Sequence, residues 1–340
     1  MTVELIRGLV EIMRAIQINE FGNPSGIKAS EIEPPSAPGR GEVRLDVHGV
    51  GVGFFDGLLI RGDYQIRPEL PFVPGSSLSG VVESIGEDVS HLKPGDTVAA
   101  FALHGGMAEQ IVLPASACVP LPEGIEPINA ANFFVSWATS LYGLREVGNV
   151  ATAETVLVLG ASGSTGTTAI ACAKALGARV IACASSAEKR QHCLDHGADQ
   201  VVDYTREGWR DEIKQATDKR GVDAVYDPVG GEMSEAALRL LAPGGRFLVV
   251  GFVAGIGRIP LNLPLLKRCS IHGVNWGGTV MADPSVVPPV IRTLAEWTLA
   301  GAINPSPTRI YELEDAGRAF EALFNRQSTG SLVVKPGQLS

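Results

Sequence analysis

What this sequence lacks narrows its function first. Five cysteines in 340 residues, at 118, 172, 183, 193 and 269, form an odd, scattered set without a C-x-x-C pair. Such spacing offers no disulfide framework and suits reduced thiols in a cytoplasmic protein. No apolar run reaches the roughly 18 residues that a membrane span needs. The first residues make no secretory signal, because Glu4, Arg7, Glu11 and Arg14 interrupt Leu5, Ile6, Leu9, Val10 and Ile12. Residues 1–12 read as an extension ahead of Met13-Arg14-Ala15-Ile16, with no role assigned. Basic charge is in deficit, 28 Lys and Arg against 37 Asp and Glu, for a net charge of −9. A surface of that sign repels phosphate polymers, which argues against a nucleic-acid partner.

Metal ligands are scarce as well. Of the histidines at 48, 91, 104, 192, 196 and 272, only His192 and His196 have a ligand spacing, four apart on an expected helix. No third ligand supports them, so they read as a solvated helix face and no metal site is expected. What remains is an ordinary globular composition, 45% hydrophobic and 19% charged. A chain of this length buries about three quarters of its unfolded surface, enough for two domains.

One stretch stands out. The apolar run 156–159 reads as a buried parallel strand and breaks into a turn of small residues holding Gly160, Gly163 and Gly166. A helix follows with Ala169, Ile170, Ala173 and Leu176 on one face, stops at Gly177, and gives way to a second apolar strand, 179–183. This βαβ unit of about thirty residues places glycines at the strand-to-helix turn, the geometry that sets a pyrophosphate on free helix N–H groups.

The surroundings are consistent with it. Residues 13–120 are rich in Gly and Pro, with short alternating strands such as 42–48 and turns at Pro34-Pro35, Pro38-Gly39, Pro74-Gly75 and 93–96. They read as an antiparallel β domain. From about residue 130, helices alternate with apolar strands at 156–159, 180–183, 200–203, 224–227, 247–250 and 270–274. Six such strands complete a doubly wound α/β sheet. The tail adds helical stretches at 287–300 and 313–324 and a strand at 330–335, which has no place in a full sheet and is expected to return to the first domain.

The end of the second strand of the βαβ unit identifies the dinucleotide. A site for NAD usually carries an Asp or Glu there, for the ribose 2′-OH. Here it reads Ala184-Ser185-Ser186-Ala187-Glu188-Lys189-Arg190. Hydroxyls and cations in place of a carboxylate favour a 2′-phosphate, hence NADPH. A serine capping the next helix, with Lys189 on a solvated face, is compatible with that reading.

The first domain now resembles a known family. Val52-Gly-Phe-Phe-Asp56, Arg61-Gly-Asp-Tyr64, the run 71–82 and Gly86 with Gly95-Asp-x-Val98 resemble the medium-chain dehydrogenase/reductase superfamily. Gly105-Gly-Met-Ala-Glu109, Ala224-Val-Tyr-Asp-Pro-Val-Gly-Gly231 and the run 243–252 are similar to its zinc-free quinone oxidoreductase branch, which includes zeta-crystallin. The likeness runs from Met13 to Lys335. It implies a GroES-like antiparallel β domain over 13–130, completed by 280–340, and a Rossmann domain with a parallel six-stranded sheet over 131–279. Zinc-dependent members place ligands at the positions of Gly53 and Gly75-Ser76-Ser77, where none stands here, and the structural zinc lobe is missing between Phe101 and Gly105.

By the same resemblance, Ser162, Gly163, Ser164, Thr165 and Gly166 form the turn over the pyrophosphate. Lys189, Tyr204 and Arg326 match residues that hold the 2′-phosphate, joining Ser185 and Ser186 read above; Thr139, Gly251, Phe252, Val274, Asn275 and Trp276 match positions around the nicotinamide. Tyr64 matches a tyrosine at the substrate cleft, as cofactor contact and as orienter or proton donor. A packing role is the plain alternative for each, most of all for Phe252 and Val274. Related reductases often carry Asn where Gly53 stands and an acidic residue where Ser77 stands, so substrate preference does not transfer.

The activity so implied is hydride transfer from NADPH, without zinc, to an electron-poor acceptor such as a quinone. An enoyl or acryloyl (CoA) reductase is a rival reading. A crystallin-like protein that only binds NADPH or RNA is another, disfavoured for RNA by the charge. The apolar edge strand near 270–274 implies a homodimer.

Overall fold

The computed structural model describes residues 11–337. The chain opens with strands β1 (Met13–Ile16), β2 (Ala29–Ile32) and β3 (Glu42–Gly51), helix α1 (Phe54–Arg61), and strands β4 (Ser77–Ile85), β5 (Thr97–Phe101), β6 (Gln110–Pro114) and β7 (Cys118–Pro120). Then come α2 (Ala138–Leu141), β8 (Thr155–Val158), α3 (Ser164–Ala175), β9 (Arg179–Cys183), α4 (Ala187–Asp195), β10 (Gln200–Val202) and α5 (Trp209–Ala216). They are followed by β11 (Val222–Asp227), α6 (Glu232–Leu238), β12 (Leu241–Val249), α7 (Asn262–Lys267), β13 (Ser270–Gly273), α8 (Trp276–Ala282) and α9 (Val287–Leu299). The chain closes with β14 (Arg309–Glu312), α10 (Ala316–Phe324) and β15 (Leu332–Lys335).

Two compact units result, one from residues 1–135 with 305–340, the other from 136–304. The first holds a seven-stranded sheet in the order β14-β15-β3-β4-β5-β7, with β6 also on β3. In β3, buried Val43, Leu45 and Val47 alternate with Arg44, Asp46 and His48, the period-two pattern of a strand with one face on a core. The pairing of β3 with β4 shifts register at Arg44/Leu45 and again at Val47/Gly49. Gly80 makes that approach sterically possible, since a Cβ there would lie 2.1 Å from the Asp46 carbonyl oxygen. β15 pairs antiparallel with β3 through Val333 and Val334, so the tail does return to the first sheet.

The second unit is built on six parallel strands in the order β10-β9-β8-β11-β12-β13. All four residues of β8 are buried, as a strand covered on both faces must be. The order runs outward in both directions from β8 and β11, which puts the topological switch between them. Helix α3 buries Ala169, Ile170, Cys172 and Ala173 and ends before Gly177, whose φ of +82° gives a left-handed stop.

The unit boundaries differ from those read off the sequence in two respects, the first being that residues 131–135, expected with the parallel sheet, belong to the antiparallel unit. Residues 280–304, expected with the antiparallel domain, belong to the parallel-sheet unit. There α9 buries Val290, Ile291, Leu294 and Ala295 and packs on α2.

Candidate functional site

In the parallel-sheet unit the site is built largely from backbone. β8 leads through buried Leu159 into Gly160, whose φ of +54° turns the chain sharply. The Ala161 N–H donates to the Cys183 carbonyl at 3.1 Å, tying the turn to the end of β9. Gly163 is the N-cap of α3 and brings no capping side chain, so the helix opens with its first N–H groups uncovered by one. A Cβ on Gly166 would lie 2.3 Å from the Gly160 carbonyl oxygen and 2.6 Å from Ala161 Cα. Only glycine lets α3 start this close to the turn. Ser162, Gly163, Ser164, Thr165 and Gly166 therefore come together at one helix N-terminus. That cradle fits a pyrophosphate, through N–H groups and the helix dipole.

The end of β9 carries the next group. Ser186 caps α4, its Oγ accepting from the Lys189 N–H at 3.2 Å. Arg190 pairs with Asp203 at 2.8 Å and donates to the Ser185 carbonyl at 3.0 Å. Asp203 also accepts from Thr205 N–H and Oγ1, at 3.1 and 2.6 Å, so this carboxylate at the end of β10 is already committed. Tyr204, next in the chain, is half-buried. Ser185, Ser186, Lys189 and Tyr204 thus gather at the carboxyl ends of β9 and β10. The expectation for His192 needs correction. It does not lie on a solvated face: it is half-buried, with Nε2 3.0 Å from Thr167 Oγ1. Burial and the neighbouring His196 lower it to about 4.

A third group forms where β11, β12 and β13 end. Asp227, 1% exposed, accepts from the N–H groups of Val229 and Gly230 and from Ser234 Oγ. Its carbonyl accepts from Val250 and Gly251. One residue so fixes both the 228–231 turn and Gly251; sequence reasoning quoted it only as part of a motif. Its one signal was an apolar strand ending in an acid just before Pro-Val-Gly-Gly. Val274 is buried, and Trp276 packs its ring 5.3 Å from that of Tyr142. Asn275 caps α8, accepting from the Gly278 N–H at 3.0 Å. The packing alternative holds for Val274 but not for Phe252, which is 54% exposed. Thr139 is half-buried on α2 of the same unit.

The antiparallel unit holds Tyr64 and Arg326. Tyr64 is half-buried, edge-on to Phe55 at 4.8 Å. Arg326 is exposed, with a φ of +55° just past α10. The positions aligned with metal ligands show what has replaced them. Gly53 is the N-cap of α1, and its N–H donates to Asp56 Oδ2 at 3.1 Å. The Ser77 hydroxyl is spent on the Ala131 carbonyl at 2.7 Å. Asp56 is 2% exposed, and burial pushes its carboxyl up to about 6, against the lowering influence of Ser76 and the Gly53 N–H. Among the described residues, neither the buried Asp56 Oδ1 nor Ser76 Oγ has an aligned hydrogen-bond partner. Sequence reasoning missed Asp56 as well, since its character comes from burial rather than spacing. Among the described residues no three His, Cys, Asp or Glu gather as a metal site.

Two family models match the chain, the alcohol dehydrogenase GroES-like domain over residues 39–123 and the zinc-binding dehydrogenase over residues 164–296. Quinone oxidoreductase-like protein 2 homolog of Nematostella vectensis is 35% identical over 329 residues, covering 96% of this chain and 89% of its own length. Quinone oxidoreductase-like protein 2 of Rattus norvegicus is 37% identical over 324 residues, covering 94% and 91%. This chain belongs to the medium-chain dehydrogenase/reductase superfamily, in its quinone oxidoreductase branch. The Escherichia coli quinone oxidoreductase, whose structure was solved in complex with NADPH, superposes with a TM-score of 0.85 at 28% identity, over 95% of this chain and 100% of that one. As a medium-chain dehydrogenase/reductase the protein is an oxidoreductase, and its α/β fold, with one antiparallel sheet and one parallel six-stranded sheet, is that of the superfamily.

Proposed function

We propose that this protein is an NADPH-dependent oxidoreductase that needs no zinc and passes hydride to a quinone. The observation that carries this reading is the pairing of the α3 cradle, where only glycine fits at Gly166, with a β9 end that puts Ser185 and Ser186, followed by Lys189, where a site for NAD carries an acid. The relatives named quinone oxidoreductase, and the neighbour solved with NADPH, support it.

When bound, the nicotinamide supplies the hydride equivalent. The chain supplies placement. First-turn N–H groups of α3 hold the pyrophosphate. Lys189 would neutralise the 2′-phosphate, and Ser185, Ser186 and Tyr204 would donate to it. Thr139, Gly251, Phe252, Val274, Asn275 and Trp276 orient the nicotinamide end, with Asp227 fixing the turn and Gly251 behind them. Gly53, Ser76 and Ser77 occupy the ligand positions of zinc-dependent relatives and offer no Lewis-acid site, so the acceptor must bring its own electron deficiency. Tyr64 or backbone N–H groups then donate to the developing oxyanion.

The test is to follow NADPH oxidation with a quinone and with an acryloyl thioester, before and after dialysis against a chelator. Faster turnover of the quinone, unchanged by the chelator, is expected. Strong preference for the thioester overturns the acceptor, and loss of activity on chelation overturns zinc independence. Undetectable turnover with both, alongside tight NADPH binding, favours a binding protein.

We also propose a homodimer in the cytoplasm. β13 is a sheet edge carrying Ile271, 40% exposed, and nearby in sequence Ile256, Leu261, Leu265 and Leu266 are each more than 70% exposed. An apolar edge of this kind fits a second copy of itself. Sedimentation at micromolar protein should give the dimer mass; a monomer overturns it. The cytoplasmic assignment rests on the cysteines, which are all free thiols in the described structure.

A further inference from the structure

The parallel-sheet unit contains a buried line of hydroxyls behind the α3 turn. Tyr226 on β11 is fully buried, and its Oη lies 3.1 Å from Ser140 Oγ on α2. Ser140 Oγ lies 2.7 Å from Thr168 Oγ1 on α3. Thr168 Oγ1 donates at 3.0 Å to either the Ser136 or the Thr165 carbonyl. Ser136 Oγ in turn meets Ser164 Oγ at 2.8 Å. Ser140 Oγ also reaches the Thr165 carbonyl at 3.2 Å, so Ser164 and Thr165, the first two residues of α3, are both met by side chains from outside their own helix.

Counting protons gives the line a direction. Burial pushes the Tyr226 phenol up, so it keeps its proton. Carbonyls only accept. Ser140 can donate to Thr168 Oγ1, which then donates to a carbonyl, or directly to the Thr165 carbonyl; in either case Tyr226 donates to Ser140 and every hydroxyl proton is used. Run the other way, Thr168 donates to Ser140 and Ser140 to Tyr226, which leaves the Tyr226 proton without an acceptor among these groups. A buried donor left unpaired is disfavoured. The line runs from Tyr226 toward the α3 carbonyls. The helix start has no capping side chain of its own, since Gly163 supplies none.

We propose that Tyr226, Ser140 and Thr168 form a positioning chain that fixes the first turn of α3 in the orientation that receives the pyrophosphate. These residues act through Ser164 and Thr165 and do not touch the cofactor. The inference rests on the NADPH reading of the α3 turn and adds to it the device that preorganises that turn.

The test uses two probes. NADPH spans the pyrophosphate turn, whereas adenosine 2′-monophosphate carries the 2′-phosphate and no pyrophosphate. Thr168→Val keeps the side-chain shape and loses the hydroxyl; Thr168→Ser keeps the hydroxyl and loses the methyl. The expected result is a rise of about five- to tenfold in the NADPH Kd for Thr168→Val, with the inhibition constant of adenosine 2′-monophosphate within about twofold of wild type. Thr168→Ser should restore NADPH binding. The proposal is overturned if Thr168→Val binds NADPH as wild type does, if both probes weaken alike, or if Thr168→Ser is as poor as Thr168→Val. Should Thr168→Val not fold, Tyr226→Phe, which removes the first donor, is judged by the same two probes, with a smaller rise of about two- to fivefold. If the wild type binds neither probe, the cofactor reading falls and takes this inference with it. If the wild type binds both and the variants bind both equally well, only the positioning chain falls.

Discussion

The two units place chemistry by opposite means. In the parallel-sheet unit the working parts are backbone: a glycine turn, a helix opened without a side-chain cap, and strand ends fixed by Asp227. In the antiparallel unit they are side chains whose character depends on burial, with Asp56 sealed beneath the Gly53 turn and Tyr64 edge-on to Phe55. Backbone geometry depends on residue spacing, which a sequence displays. A buried side chain depends on what folds over it, which a sequence does not.

The largest expected effect breaks or confirms the backbone half of this contrast. Gly166→Ala drives a Cβ to 2.3 Å of the Gly160 carbonyl oxygen, and should weaken NADPH binding by more than about 100-fold, at least about 3 kcal/mol. Gly80→Ala drives a Cβ to 2.1 Å of the Asp46 carbonyl oxygen in the other unit. It should lower the melting temperature while folded protein keeps its NADPH affinity. Equal loss of cofactor binding in the two variants, by fluorescence titration, would remove the distinction.

Asp56 tests the side-chain half. Its carboxyl is raised from 3.8 to about 6, so folding disfavours the ionised form. The resulting penalty is absent below the unfolded value, grows as pH rises from about 4 to 6, and is full above that. Asp56→Asn should therefore stabilise the protein at pH 8 relative to pH 4, by up to about 3 kcal/mol. Urea unfolding across that range measures it; an unchanged pH dependence would mean that Asp56 ionises as freely as on a surface.

Lys189→Ala should raise the NADPH Kd by about 10- to 30-fold and leave that for NADH unchanged. Equal losses for the two cofactors would place Lys189 away from the 2′-phosphate. The smallest effect is that of His192, held neutral by burial with a value lowered to about 4. The unfolded chain takes up that proton first, so the stability present above about 6.5 is lost as pH falls toward 4. Discounted for partial exposure this amounts to about 1 kcal/mol, and His192→Gln should flatten the acid limb by that amount.

Much of the fold was legible because periodicity and punctuation agreed. All six parallel strands lie where apolar runs between helical patterns placed them, and β15 was assigned to the first sheet because the second was already full. The turn from β8 into α3 was legible for the same reason, three glycines at fixed offsets. Asp56, Asp227 and His192 were not legible in these roles. Asp56 draws its character from burial and His192 from Thr167, 25 residues away, while Asp227 acts through bonds to Val229, Gly230 and Ser234 that no motif announces. Phe252, expected at the nicotinamide with packing as the alternative, is 54% exposed, so the packing alternative does not hold for it. The stretch 280–304 went to the other unit because an amphipathic helix such as α9 advertises a buried face without naming what covers it.

The return of β15 to β3 has a consequence for biogenesis. Residues 136–304 form an insertion, bracketed by two segments of the unit that encloses them. On a ribosome the parallel sheet has its whole sequence while the antiparallel sheet still waits for β14 and β15, the latter pairing with β3 nearly three hundred residues upstream. Until then the Val50–Gly51 end of β3, beyond its pairing with β6, has an open edge available to β15 or to a stray strand. The order of synthesis thus lets the nucleotide-binding half mature first, and the half that carries Tyr64 closes last.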